Sequence, residues 1–297
     1  MTQLSPVYDV CSYARRIVYG SMTEQINIAS ATVAAGATTI PMELDVAGIM
    51  PGTIISSGLN VWYVRSVNGI SNSVSVLPGY DNSPQQAIAQ GDMIRIKPWA
   101  TDWYLFCLYN DQMRMLSSST AGLYRVGSWI TNVEPSYQTY EVPTAAQGMF
   151  NLLRVRYRRP GTPNVWTMVS PSSYNWQVTP TGNRIQLLTN IPSGTNIEFT
   201  YKAPFAQASS LTNSVVNDCG LADTMADIPA LGIAVMLLHT TDSRRNQIFT
   251  QGDTRRAGEV NPQVNLSSAS AFERDYNARI QDEYARLIQR NPIYLGV

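Results

Sequence analysis

Between Glu24 and Lys97 the sequence alternates apolar and polar residues in short runs, each stopped by a turn residue. A period of two puts successive side chains on opposite faces of an extended chain, so this stretch reads as strands. The candidate strands are 25–29, 38–42, 53–56, 61–67, 73–76 and 93–96. Their breaks fall at Gly36, Gly48, Pro51-Gly52, Gly58, Asn68-Gly69, Pro78-Gly79 and Gly91-Asp92. Asn68-Gly69, between VWYVRSV and SNSVSV, is the pair favoured in a tight hairpin turn. Six short strands of this kind predict a small barrel-like module over residues 23–98.

The same period returns over residues 123–205, with candidate strands at 127–133, 139–141, 152–157, 165–168, 175–179, 184–188 and 196–202. Seven strands with Pro-Gly, Thr-Gly and Ser-Gly turns predict an immunoglobulin-like β-sandwich. The Cys, Trp, Cys trio of antibody domains is missing. Helical spacing fills the rest. Residues 1–22 hold a short helix with Ser5 as N-cap and Pro6 at its first position; Val7, Cys11, Ala14 and Val18 share one face. Residues 99–122 hold an aromatic helix, capped by Thr101 or Asp102, and a Ser-rich linker. Residues 206–297 read as a helical region: a short helix at 211–219, a buried one at 228–239, a charged helical segment at 242–260 and a loose stretch at 261–268. A long amphipathic helix follows over 270–290. The expected class is therefore α+β and multi-domain, two β modules joined to a helical core.

With 21 basic and 21 acidic residues the chain has no net charge, which argues against general nucleic-acid or polybasic membrane binding. Charged residues make up 14% of the sequence, well under the usual quarter or so, while Tyr and Trp are plentiful. Interface-rich surfaces and large aromatic cores both have that composition. The basic residues are nearly all arginine, which suits bidentate ion pairs or a GC-rich genome. Cys11, Cys107 and Cys219 are odd in number and widely spaced, as expected of reduced thiols. The first residues do not read as a signal peptide, and the longest apolar run, 228–238, is too short to span a bilayer.

Catalytic patterns are scarce. His239 stands alone, and its expected role is to cap the C-terminus of the buried helix. Asp218, Asp223 and Asp227 fit no calcium-loop spacing and read as caps and turn residues. Neither a phosphate-binding glycine loop nor a nucleophile elbow is present, so no catalytic, cofactor or metal residue is assigned and the chain is expected not to be an enzyme. The exception to this blandness is LLRVRYRRPG, where Arg154, Arg156 and Arg158 fall on one strand face. Such a stripe can grip a partner's carboxylates or DNA phosphates, or it can simply be solvated. Charge reversal at Arg156 is expected to alter assembly or DNA retention and to leave the fold intact. The pairs Arg244-Arg245 and Arg255-Arg256 pose the same question beside their own acids.

Four stretches carry a resemblance to a known class: ATVAAGATTIPM through GDMIRI, RIQLLTNIPSGTNIEFTYKAPF, VVNDCGLADTMADIPALGIAVMLL and AFERDYNARIQDEYARLIQRNPI. Together they resemble head-to-tail connector (adaptor) proteins of tailed bacteriophages, of the kind found with actinobacterial hosts. The resemblance implies a virion protein of the capsid–tail neck, made in the host bacterial cytoplasm. It implies a homo-oligomeric ring, of about twelve copies, docked on the portal protein above a stopper, terminator or tail-tube protein. Packaged DNA would pass through the lumen. It places the portal-docking arm at the C-terminus, where Phe272, Tyr276, Tyr284, Pro292, Tyr294 and Leu295 are the candidates. Two β modules depart from the smallest adaptors, which are mostly helical. The alternative is a tail, baseplate or host-attachment protein whose sandwich binds carbohydrate or protein, with Trp166 and Trp176 as candidate platforms.

Overall fold

The computed structural model describes residues 5–20, 23–133, 139–146, 148–158, 161, 165–179, 182–192, 194–249 and 262–291, and gives backbone only at 145, 178–179, 241–249 and 262–268. Along the chain the elements are α1 (Val7–Tyr19), β1 (Gln25–Ile28), β2 (Thr39–Pro41), β3 (Ile54–Ser57), β4 (Asn60–Asn68), β5 (Ser73–Leu77) and β6 (Met93–Ile96). Next come α2 (Asp102–Leu116), β7 (Arg125–Asn132), β8 (Thr139–Glu141), β9 (Asn151–Arg158), β10 (Trp166–Met168), β11 (Tyr174–Thr179), β12 (Gly182–Leu187) and β13 (Asn196–Ala203). Two long helices close the chain, α3 (Ile228–Phe249) and α4 (Pro262–Arg290). The class is α+β.

Two compact units result. The first takes in residues 1–112, 207–219 and 223–277; the second takes in 113–206, 220–222 and 278–297. The boundary falls inside α2 and again inside α4.

In the first unit the six predicted strands form one antiparallel sheet in the order β1-β6-β3-β4-β5-β2. It curls until its edge strands meet. Ala29 bridges Met42, Ser30 N–H donates to Pro41 O at 3.1 Å, and Glu43 N–H donates to Ile28 O at 2.8 Å. Asn27 pins this seam from inside, at 1% exposure. Its Oδ1 accepts from the backbone N–H of Ile28 (2.8 Å) and Leu44 (2.9 Å), and its Nδ2 donates to Leu44 O (3.1 Å). A buried amide with these bonds satisfies edge groups that a curled sheet would otherwise leave open. Ile40, Ile55, Trp62, Val64, Val74, Val76, Ile94 and Ile96 fill the interior.

The hairpin expected at Asn68-Gly69 is longer than a two-residue turn. Strand β4 runs to Asn68 and β5 begins at Ser73. The Asn68 side chain accepts from Ile70 N–H at 3.1 Å, and the left-handed residue is Asn72 (φ 44°) rather than Gly69. The asparagine therefore acts through its side chain, as an Asx turn.

Around the barrel, helix α1 buries Val7, Val10, Cys11 and Ala14 and packs on α3. Pro6 lies outside α1 in extended conformation, bridged to Ser214, and no side chain caps the helix. Thr101 does cap α2: its Oγ1 accepts from Tyr104 N–H at 3.1 Å. Residues 211–219 form successive turns instead of the expected helix. Asn213 Oδ1 accepts from Ser209 and Ser210 N–H, and Asp218 Oδ2 accepts from Ser214 N–H, so side chains have displaced the helical ladder. Two helices outrun expectation. α3 continues past His239, which is exposed in mid-helix and caps nothing, and α4 starts at Pro262, a residue suited to a first helical turn. Residues 250–261 lie outside the described set, so the break expected near Gly252 or Gly258 does too.

In the second unit the seven strands form two antiparallel sheets, β10-β9-β13-β7 and β11-β12-β8. Their inner faces share one core that includes Tyr140, Val155, Ile185, Leu187, Ile197 and Phe199, with Tyr140 against Phe199 at 5.4 Å. Trp129 stacks on Phe199 at 4.6 Å. The architecture is a sandwich of four strands on three. Its strand order differs from the immunoglobulin one, where the first, second, fourth and fifth strands share a sheet. Here the first, third, fourth and seventh do so.

Candidate interaction surface

Strand alternation divides β9 and β13 into inward and outward residues. Leu152, Val155, Ile197, Phe199 and Tyr201 enter the core, while Arg154, Arg156, Arg158, Glu198, Thr200 and Lys202 take the outer side of the four-stranded sheet. The predicted arginine stripe is therefore one face, and the register says what flanks it. Arg156 stands between Met168 and Glu198, Arg158 beside Trp166, Arg154 beside Thr200, and Ile130 beyond Glu198.

The stripe is held in place by its neighbours. Arg156 Nε donates to the Glu198 carboxylate, which is only 7% exposed, and Arg154 Nε donates to Thr200 Oγ1 at 3.2 Å. The guanidinium groups of Arg156 and Arg158 lie 4.6 and 5.1 Å from the centre of the Trp166 ring. This cation–π geometry fixes flat, weakly hydrated cations on a rigid support. Lys202 sits 4.2 Å from the Tyr124 ring, and burial lowers its pKa. Ile130 (58% exposed) and Met168 (50%) add apolar surface to the same face. A sheet face carrying fixed cations and uncovered apolar side chains is suited to protein contact.

The other sequence candidates are placed differently. Tyr276 is buried in the first unit, and its hydroxyl donates to Gln112 Oε1 at 2.7 Å; burial pushes its pKa up to about 12. It is a core residue, unavailable for docking. Phe272 is half-buried; Tyr284 is partly exposed, with its ring edge against Gly122 in the second unit. Pro292, Tyr294 and Leu295 lie outside the described residues, as do Arg255 and Arg256, and no side chain is described at Arg244 and Arg245. Trp166 supports the arginines, and Trp176 packs at the edge of the sandwich core.

A cleft of about 350 Å³ in the first unit is lined by Tyr8, Ser56, Asn60, Asp92, Arg95 and Asp102 among others. Two of its charges are already paired: Arg95 with Glu24 and, at 3.9 Å, with Asp102, and Asp102 with Arg15, which also donates to Ala100 O; Asp92 accepts from Ala89 N–H at 2.7 Å. The network ties α1 and α2 to the barrel. Burial pushes the Cys11 thiol up to about 12 and raises those of Cys107 and Cys219, which disfavours the reactive thiolate at all three. Among the described residues no group of three or more His, Cys, Asp or Glu is placed to hold a metal, and no helix is long and apolar enough to cross a membrane.

Sequence reasoning found the arginine stripe because the period of two was visible. It missed Glu198, Ile130 and Met168, which join the stripe only through strand pairing. No protein-family model matches the chain, and no curated protein matches it significantly.

Proposed function

We propose that this chain is a non-catalytic structural subunit of a phage head-to-tail neck, an adaptor that forms a ring on the portal and passes DNA toward the tail. The observation that supports this best is the outer face of the four-stranded sheet, where fixed arginines and uncovered Ile130 and Met168 present a contact surface. A ring subunit needs such surfaces toward neighbours on two sides as well as toward the rings above and below. The order of barrel, sandwich and long C-terminal helix fits the resemblance carried by the four sequence stretches. Helix α4 adds Ile288, exposed near its end, just before the apolar tail Ile293-Tyr294-Leu295. A short apolar tail after an amphipathic helix is a common docking device.

The experiment is truncation of residues 291–297, followed by binding to purified portal protein. Portal binding should weaken by roughly tenfold or more while the far-UV circular dichroism is kept. Unchanged binding by the folded truncation would contradict the docking role.

A further inference from the structure

The neutral chain is electrically divided. Among residues with described side chains, the first unit carries six basic and thirteen acidic groups, whereas the second carries ten basic and four acidic ones. The net values are −7 and +6, so near-neutrality is a cancellation between two strongly charged bodies. The basic body holds the arginine face. On the acidic body, the segment just after β2 presents Glu43 and Asp45, both exposed, on either side of Leu44 (50% exposed), with Met50 (71%) further along the loop. Asp45 Oδ1 accepts from Ala47 N–H at 2.9 Å, which fixes that carboxylate in a turn.

From this complementarity we propose that the arginine face of one copy docks on the acidic 43–50 segment of a second copy. Like faces repel, so a symmetric contact of either face with itself is disfavoured. Opposite faces attract, which makes the contact head-to-tail, the type that closes rings or extends filaments. The apolar residues are matched as well as the charges: Ile130 and Met168 on one side, Leu44 and Met50 on the other. A DNA backbone would match the charge of the arginine face but would leave those apolar groups without a use. The inference rests on the ring reading only in requiring self-association.

The test is sedimentation velocity of the full chain across ionic strength. Arg154→Glu with Arg158→Glu reverses the face and leaves the Arg156–Glu198 pair intact; Glu43→Arg with Asp45→Asn reverses the loop and keeps a side-chain acceptor at position 45. The wild type should associate at low ionic strength and dissociate as salt screens the contact over about 10 Å. Each double variant alone should associate more weakly by roughly tenfold or more. An equimolar mixture of the two should regain association, because every contact then joins opposite charges. A wild type that stays monomeric at low salt, variants that associate normally, or a mixture that fails to recover would overturn the proposal. So would duplex-DNA binding lost in the Arg154/Arg158 variant with self-association unchanged. Normal ring formation on portal by that variant would remove this contact and leave the adaptor reading standing. Salt-dependent association without portal binding would do the reverse.

Discussion

Replacing Arg156 with alanine is expected to destabilise the sandwich by about 3 kcal/mol, because it strands a buried carboxylate. Glu198 is 7% exposed and takes its charge-assisted hydrogen bond from Arg156 Nε. The same guanidinium covers Trp166 at 4.6 Å, so packing is lost with the charge. Against a typical domain stability of about 5–15 kcal/mol, the loss should be plain as a lower urea midpoint at unchanged m-value. Removing both partners, with Arg156→Leu and Glu198→Leu, should regain most of it, since no lone charge is left behind. A single variant within about 0.5 kcal/mol of wild type would contradict the pairing. This revises the expectation drawn from sequence, that charge reversal at Arg156 would spare the fold. The strand period showed which face Arg156 is on, but not that a buried Glu198 faces it from another strand.

The second large effect has the opposite sign from the usual rule. Gly→Ala in the middle of a helix ordinarily gains up to about 1 kcal/mol. Gly232 lies inside α3, yet a Cβ there would stand 2.1 Å from Gln112 Oε1 and 2.4 Å from its Cδ. Gln112 cannot yield freely. It is 1% exposed, its Oε1 accepts from Tyr276 at 2.7 Å, and its Nε2 lies 3.3 Å from the Met236 sulfur. Gly232→Ala should therefore cost about 2 kcal/mol net, through overpacking and a broken buried hydrogen bond. In a Gln112→Ala background the added cost should shrink by more than about 1 kcal/mol, a coupling that a thermodynamic cycle measures directly. Additive effects would show that the two side chains do not compete for one space.

Both cases mark the border between what sequence discloses and what it withholds. Local period and turn chemistry made thirteen strands and the Thr101 cap legible, because each depends on residues a few positions apart. The turns at 211–219 went unread because Asn213 and Asp218 compete for backbone N–H groups that helical spacing alone assigns to a ladder. The length of α3 was hidden by a switch from apolar to polar residues near His239, which reads like an end although the helix continues to Phe249. Tyr276 belonged to a true amphipathic stripe, but a stripe does not say which side is covered by the chain's own core. The seam at Asn27 and the contact between Arg156 and Glu198 were likewise beyond reach, since each joins residues far apart in the chain.

An adaptor must assemble on a portal. Native mass spectrometry of the purified chain at physiological salt, alone and after mixing with portal protein, tests this most directly. The expected result is a dilute monomer that becomes a portal-bound ring of about twelve copies. A stable trimer indifferent to portal would contradict it, and would move the protein to the tail or its fibres, with the sandwich as the working part.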